Sequence, residues 1–180
     1  MYEDNIAIVG TRNASECGKK IAFETARELS DLNINVVSGM AKGIDSFAHL
    51  GSLNGKYGKT IAVLGNGLAF NDIYPKENLN LFNRIIDSNG LVISEYIIGT
   101  KAKPYYFPER NRIVAGLSDK ILAVEANKKS GTMITVRLWT RPRKRYFCST
   151  TEIFMMIIFL EQICLLVKVQ IFLQKLKIYY

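Results

Sequence analysis

Short turns that combine small residues with a cation occur at three places in the sequence, and this combination suits phosphate binding. They are "GTR" at residues 10–12, "SGMAKGID" at residues 38–45 and "KKSGT" at residues 128–132. Glycine lets the backbone approach a phosphate closely, the free N–H groups of a following helix can donate to it, and Arg12 can hold it through two hydrogen bonds. The alternative is an ordinary strand–helix turn with a solvated arginine. The spacing differs from the GxGxxG of dinucleotide-binding folds, which disfavours NAD.

A second unusual segment, "KPYYFPERNRIVAG" at residues 103–116, places aromatic residues directly before basic ones. Tyr105, Tyr106 and Phe107 precede Arg110 and Arg112. Aromatic rings beside basic groups suit the stacked bases and phosphate backbone of a single-stranded nucleic acid. The alternative is an aromatic packing corner with surface arginines.

The titratable residues predict neither catalysis nor a metal site. The chain has one histidine, His49, and we expect it to be partly buried near the start of a helix, four residues after Asp45. One imidazole with no nucleophile beside it is not a catalytic set. The three cysteines form no CxxC pair, so neither a zinc site nor a disulfide framework is expected. We therefore expect a binding protein without cofactors rather than an enzyme.

Composition indicates one globular domain of ordinary size. The 180 residues are 48% hydrophobic and 22% charged. The net charge of +8 would favour a nucleic-acid partner, but it is uneven, because residues 1–136 hold 16 Lys and Arg against 14 Asp and Glu. The N-terminus "MYEDNIAIVG" lacks the pattern of a signal peptide, and no apolar run approaches the ~18 residues of a membrane span. A cytoplasmic protein without membrane contact is expected.

The elements that must position these residues alternate between strands and helices. Apolar, β-branched runs predict buried strands, whereas apolar residues at helical spacing predict helices at 16–32, 45–53, 77–88 and 109–115 and one starting at Ser130. The predicted strands are "NIAIVG", "INVVSG", "KTIAVLGNG", "GLVISE" and "KILAVEA". This alternation predicts an α/β, Rossmann-like, doubly wound and mostly parallel sheet, whose ligands bind at the carboxyl ends of the strands.

These motifs, in this order, resemble the DNA-processing protein A family (DprA, also called Smf). The resemblance spans about residues 5–136 and rests on "IAIVGTRNASECG", "VVSGMAKGIDSFAH", "IYPKEN", "FPERNRIVAGLSD" and "VEANKKSGTMIT". It implies a Rossmann-like core that binds single-stranded DNA, forms a homodimer and helps to load the RecA recombinase in natural transformation. It implies no enzymatic activity, and no counterpart of the family's small N-terminal domain is expected before residue 5. The implied DNA- and phosphate-binding residues are Gly10, Thr11, Arg12, Ser38, Gly39, Lys42, Gly43, Phe107, Arg110, Asn111, Arg112, Ser130, Gly131 and Thr132.

After Val136 the resemblance stops and the composition changes. Residues 132–180 contain no glycine and consist largely of Phe, Ile, Leu, Lys and Tyr. A shifted reading of residues 151–164 permits "GNIYDDNFFGTNM", which matches the family segment expected there. We therefore divide the chain into a core at 1–136 and an aberrant, out-of-frame tail at 137–180. The alternative is a basic amphipathic helix that contacts a membrane surface or a partner.

Two other classes of function compete with DNA binding. A nucleotide-processing Rossmann-like enzyme would need a catalytic Arg and Glu beside a PGGxGTxxE loop, which the sequence lacks. A nucleotide-sensing module would bind the same phosphate chemistry without a DNA role. Binding of oligonucleotides compared with mononucleotides separates these hypotheses.

Overall fold

A single parallel sheet forms the centre of the molecule. The structure is a computed structural model that describes residues 4–126, 131–143 and 156–158. Its strands are β1 (Asn5–Gly10), β2 (Asn35–Ser38), β3 (Thr60–Leu64), β4 (Leu91–Ser94), β5 (Lys120–Val124) and β6 (Met156–Ile158). They are all parallel and lie in the order β4-β3-β2-β1-β5-β6. The predicted α/β, Rossmann-like architecture is confirmed.

Five α-helices among the described residues connect and cover the strands. They are α1 (Glu16–Asp31), α2 (Ile44–Leu53), α3 (Leu79–Asp87), α4 (Tyr106–Gly116) and α5 (Gly131–Arg143), and a 3-10 turn (Lys76–Asn78) precedes α3. Helix α4 begins three residues earlier than the predicted range of 109–115. Pro108 lies in its first turn, where the missing N–H has no acceptor within the helix, so the proline does not delay the start.

Apolar helix faces bury both sides of the sheet. Helix α1 begins at its N-cap Ser15, whose hydroxyl oxygen accepts a hydrogen bond from the Gly18 N–H at 3.1 Å. Its buried face packs with α2 against β1 and β2, while α4 and α5 cover the opposite side. Gly51 on α2 permits the close approach of α1, because a Cβ there would lie 2.1 Å from the Phe23 carbonyl oxygen. This packing leaves the carboxyl ends of the strands as the open edge.

The division of the chain at Val136 stays a prediction. Helix α5 continues past Val136 to Arg143, and β6 pairs in parallel with β5, with Met156 opposite Leu122. Both of these elements therefore extend into the range 137–180. The remainder of that range, 144–155 and 159–180, lies outside the described residues.

Candidate nucleic-acid interface

A cavity of about 360 Å³ opens at the carboxyl end of β1. It lies between the turn that follows β1, the start of α4 and the start of α5. Eight of the sequence-predicted residues line it, namely Gly10, Thr11, Arg12, Phe107, Arg110, Asn111, Gly131 and Thr132. Three segments that are far apart in the sequence thus meet at one edge of the sheet, as parallel strand order requires.

Arg12 and the first turn of α5 give the cavity its anion-binding character. The Arg12 side chain is exposed, and its guanidinium carbon lies 5.1 Å from the centre of the Phe107 ring. Gly131 and Thr132 begin α5, so their N–H groups belong to the helix end that attracts anions. Asn111 ties this helix start to α4, because its Nδ2 donates to the Gly131 carbonyl oxygen at 3.3 Å. A phosphate in the cavity would meet both an exposed cation and fixed amide donors.

Arg110 forms part of the buried floor of the cavity rather than its exposed rim. It is 4% exposed, and its Nη1 donates to the carbonyl oxygens of Gly39, at 2.7 Å, and Val63. Its Nε donates to Asn111 Oδ1 at 3.2 Å. Burial lowers the pKa of Arg110 to about 10, while the nearby Asp45 carboxylate raises it. Arg110 therefore joins the ends of β2 and β3 to α4 and supplies positive charge from below.

Asp45 is the buried counter-charge of Arg110. Its carboxylate accepts a hydrogen bond from the backbone N–H group of Gly39 at 3.2 Å, and the N–H groups of Gly10 and Ala41 lie near enough to favour its charged form. Burial raises the pKa of Asp45, and both Arg110 and these three N–H groups oppose that shift. One carboxylate thus fixes the turns that follow β1 and β2. The sequence indicated only that Asp45 lies near a helix start, so this organising role was missed.

The glycines of the two turns are required by close packing. A Cβ at Gly39 would lie 2.5 Å from Arg110 Nη2 and 2.7 Å from Asp45 Oδ2. A Cβ at Gly10 would lie 2.2 Å from the Val124 carbonyl oxygen and 2.4 Å from Ile44 Cγ1. Gly39 therefore makes room for the buried side chains of Arg110 and Asp45, and Gly10 makes room for β5 and α2. Gly10 also lines the cavity, so the expected close approach of phosphate there stays a prediction.

Gly39 and four further predicted residues lie outside the cavity lining. Ser38 is buried, and its hydroxyl donates to the Ile8 carbonyl oxygen at 2.6 Å. Gly43 adopts a φ of 77° before α2, where a Cβ would lie 2.4 Å from the Thr11 carbonyl oxygen. Lys42 is exposed and pairs with Glu77 at 2.5 Å. Arg112 pairs with Glu95 beside a separate groove at the end of β4.

The remaining predicted residue, Ser130, lies outside the described residues. Its neighbours Gly131 and Thr132 are described and line the cavity. Thr135, one turn further along α5, also lines it but was absent from the sequence prediction. Only the helical register, which brings every fourth residue back to one face, could have signalled it.

His49 lies in α2 and is buried more deeply than the partly buried position that the sequence predicted. It is fully buried, and its Nδ1 lies 2.8 Å from the Thr60 hydroxyl oxygen. That hydroxyl donates its own proton to the Val36 carbonyl oxygen at 2.6 Å, so the Nδ1 of neutral His49 carries the hydrogen. Burial, with a smaller contribution from Arg110, lowers the pKa of His49 to about 3. The ring is therefore uncharged at neutral pH.

The three consecutive aromatic residues separate into two groups. Phe107 borders the cavity and lies 5.7 Å from the Tyr74 ring, between ring centres. Tyr106 instead packs on Tyr96 at 4.1 Å and meets Tyr105 edge-on at 4.6 Å. Successive helical residues point about 100° apart, so a continuous strip of rings cannot form at the start of α4. A second ring beside Phe107 comes from Tyr74, which belongs to the motif "IYPKEN" but was not predicted as a site residue.

Metal-binding clusters and membrane spans are both absent from the part of the chain that the structure describes. Within residues 4–126, 131–143 and 156–158, no cluster of His, Cys, Asp or Glu could hold a metal ion. Among the described helices, none has the length and apolar character that crossing a membrane requires.

Comparisons with known proteins point to one family. The model of the DNA recombination-mediator protein A family matches residues 1–156. The Smf protein of a Synechocystis strain is 44% identical over 132 residues, which cover 73% of this chain and 32% of that protein. The chain spans 32% to 44% of the length of such curated relatives.

Two solved structures share the fold. A Helicobacter pylori DNA processing protein A, described for its single-stranded DNA binding mode, superimposes with a TM-score of 0.75 at 30% identity and covers 98% of this chain and 81% of its own. DNA processing protein A from Streptococcus pneumoniae superimposes with a TM-score of 0.66 at 38% identity, over 75% of this chain and 46% of its own. With matched motifs, a matched fold and a family model that covers most of its length, this chain belongs to the DNA-processing protein A (DprA/Smf) family.

Proposed function

We propose that this chain binds single-stranded DNA in the cavity beside β1 and acts in DNA processing during natural transformation. The observation that carries the proposal is the meeting of the exposed Arg12 guanidinium, the start of α5 and the Phe107 ring around one cavity. The Arg12 guanidinium and the N–H groups at the start of α5 can bind phosphate, and an unpaired base can stack on the Phe107 ring. This role would place the protein in the cytoplasm.

The relatives support the choice of ligand. The Helicobacter pylori protein that matches nearly the whole chain is described for binding single-stranded DNA. The Streptococcus pneumoniae protein is named for DNA processing. Both proteins resemble this chain in sequence, at 38% and 30% identity, as well as in fold. The proposal transfers to this chain what those proteins are named for.

Three finer parts of the proposal concern the fate of the bound DNA and the assembly that holds it. We expect the chain to protect incoming DNA, to help load the RecA recombinase and to act as a homodimer. We also expect binding without catalysis. The titratable side chains that line the cavity are Arg12, Asp45 and Arg110, and the latter two are both hydrogen-bonded to backbone groups of Gly39.

The test compares single-stranded and duplex DNA of the same sequence by fluorescence anisotropy. The apolar, basic tail is expected to reduce solubility, so the 180-residue chain is carried as a fusion to a solubility tag, and the tag alone is the control. Single strands should bind more tightly, because duplex bases are not free to stack. The logarithm of the binding constant should fall linearly with the logarithm of salt concentration, with a slope of about −0.7 per phosphate contacted.

The same assay separates the rival functions. Equal affinity for both forms of DNA would exclude the proposed site, since the Phe107 ring would then contribute nothing. Binding of nucleoside monophosphates that oligonucleotides do not displace would favour a nucleotide-binding module. Conversion of those nucleotides to products would favour a nucleotide-processing enzyme.

A further inference from the structure

Tyr74 is exposed although the chain on both sides of it is firmly packed. Its side chain is 46% exposed, while Ile73 is fully buried and Pro75 is buried as well. The preceding Asp72 accepts a hydrogen bond from the Gly99 N–H at 2.6 Å and pairs with Lys101 at 3.2 Å. The loop that carries the ring is therefore anchored, and Tyr74 projects from a fixed position.

The Tyr74 ring extends the row of groups that begins in the cavity. Arg12 lies over Phe107, and Phe107 contacts Tyr74 with ring centres 5.7 Å apart and planes inclined at 44°. Phe107 is confined, because a Cβ at Gly65 would lie 3.0 Å from its Cδ1 and Arg12 lies over its ring. Tyr74 is the more accessible of the two rings.

A second cation, Lys42, lies near the segment that carries the Tyr74 ring. The Lys42 ammonium lies near enough to the Tyr74 hydroxyl for the two to interact electrostatically, and it is 2.5 Å from Glu77. Arg12 beside Phe107 and Lys42 near Tyr74 thus each provide a cation that could contact phosphate next to a ring. The ring spacing of 5.7 Å exceeds the ~3.4 Å rise per nucleotide of a stacked strand. It therefore suits successive bases of a strand that is pulled out of its own stacking.

We propose that Tyr74 is a second base-stacking position, one nucleotide beyond Phe107 on the path toward Lys42. This inference rests on the proposed binding of single-stranded DNA. It adds a named contact outside the cavity and a direction in which the strand leaves it.

The test measures the affinity of a labelled oligothymidylate for wild type, Tyr74→Ala and Tyr57→Ala in the tagged full-length chain. Tyr57 is the matched control, because it is 45% exposed and has Lys56 at 5.2 Å from its ring, but it lies before β3 at the opposite edge of the sheet. Tyr74→Ala should weaken binding about tenfold, as expected for the loss of one stacked base. Tyr57→Ala should bind like wild type.

A second oligonucleotide and two further variants make the result specific to stacking. An oligomer of the same length with abasic sites should bind wild type and Tyr74→Ala equally. Tyr74→Phe should restore most of the lost affinity because it retains the ring. Tyr74→Leu, which keeps apolar bulk against Phe107, should bind weakly like Tyr74→Ala and serves as the test if the alanine variant does not fold.

The outcomes distinguish this inference from the function on which it rests. If wild type binds single strands and a folded Tyr74→Ala or Tyr74→Leu variant binds them equally well, Tyr74 is not a stacking position although the proposed function stands. If wild type itself binds no single-stranded DNA, the proposed function and the role of Tyr74 fall together. A loss that persists on the abasic oligomer would also overturn the stacking role.

Discussion

The Nη1 atom of buried Arg110 donates a hydrogen bond of 2.7 Å to the carbonyl oxygen of Gly39. This contact joins α4 to the end of β2, directly under the turns that border the cavity. Because the guanidinium is only 4% exposed, its main role is to hold those turns in place.

Replacing Arg110 should therefore affect folding as well as DNA binding. In Arg110→Ala the buried carbonyl oxygens of Gly39 and Val63 lose their charged donor and Asp45 loses a nearby positive charge, so the free energy of unfolding should fall by about 3–5 kcal/mol. Urea denaturation measures this. The double variant Asp45→Asn with Arg110→Met should lose less than the sum of the single changes, since it leaves no isolated charge. An Arg110→Ala protein with wild-type stability would show that the buried guanidinium is not structural.

Gly10→Ala should destabilise the fold whether or not DNA is present. The added Cβ would meet the Val124 carbonyl oxygen and Ile44, so β5 and α2 would have to move apart, at about 1–3 kcal/mol. Gly116→Ala is the control, because a Cβ at Gly116 would meet no atom of the described residues within 4 Å. Thermal unfolding of both variants measures the difference. Equal melting temperatures would mean that the turn after β1 accommodates the added Cβ at no measurable cost in stability.

Arg12→Ala should weaken DNA binding without weakening the fold. The exposed guanidinium borders the cavity, and loss of a charged contact to phosphate should reduce affinity for all sequences similarly, by about 1–3 kcal/mol. Arg84→Ala is the control, since Arg84 is exposed in the last turn of α3, toward the amino ends of the strands. Anisotropy titrations and melting curves measure both effects. A lower melting temperature with intact DNA binding would assign Arg12 to structure.

Glu77→Gln should tighten binding of single-stranded DNA. Glu77 now pairs with Lys42 at 2.5 Å and would repel a phosphate that approaches it. Removing its charge frees the ammonium for the DNA. Lys42→Ala should do the opposite and make the salt dependence shallower by about 0.7 in logarithmic slope. Titrations over a series of salt concentrations measure both. If neither change alters the slope, Lys42 lies outside the DNA path.

The chain should lose stability as the pH falls from about 6.5, through His49. Its pKa is lowered to about 3 in the folded state, against about 6.5 in an unfolded chain, so between these values the unfolded state binds the extra proton. The contribution of His49 is fully present above pH 6.5 and declines toward pH 3. Its slope is about 1.4 kcal/mol per pH unit. Urea unfolding at about pH 5, 6 and 7 should show a shallower slope for His49→Gln; equal slopes would contradict a neutral buried imidazole.

The sequence predicted the architecture because its local patterns agree with one another. Continuous apolar runs such as "NIAIVG" and "KILAVEA" suit strands buried on both faces, and the amphipathic pattern that ends at Asp31 suits a helix on one face. The motifs after these strands also predicted that Arg12, Phe107 and Thr132 belong to one site. Parallel strand order brings them together at one edge.

Only the tertiary structure decided which predicted residues border the cavity and which support it. Arg110 and Arg112 are two residues apart, yet one lies buried in the floor of the cavity and the other pairs with Glu95 beside another groove. The rotation of about 100° per helical residue separates them, and local sequence does not specify which side of α4 meets the sheet. Tyr74 reaches Phe107 from 33 residues away in the chain. Contacts of that kind depend on how loops from different strands pack, and no local pattern in the sequence records them.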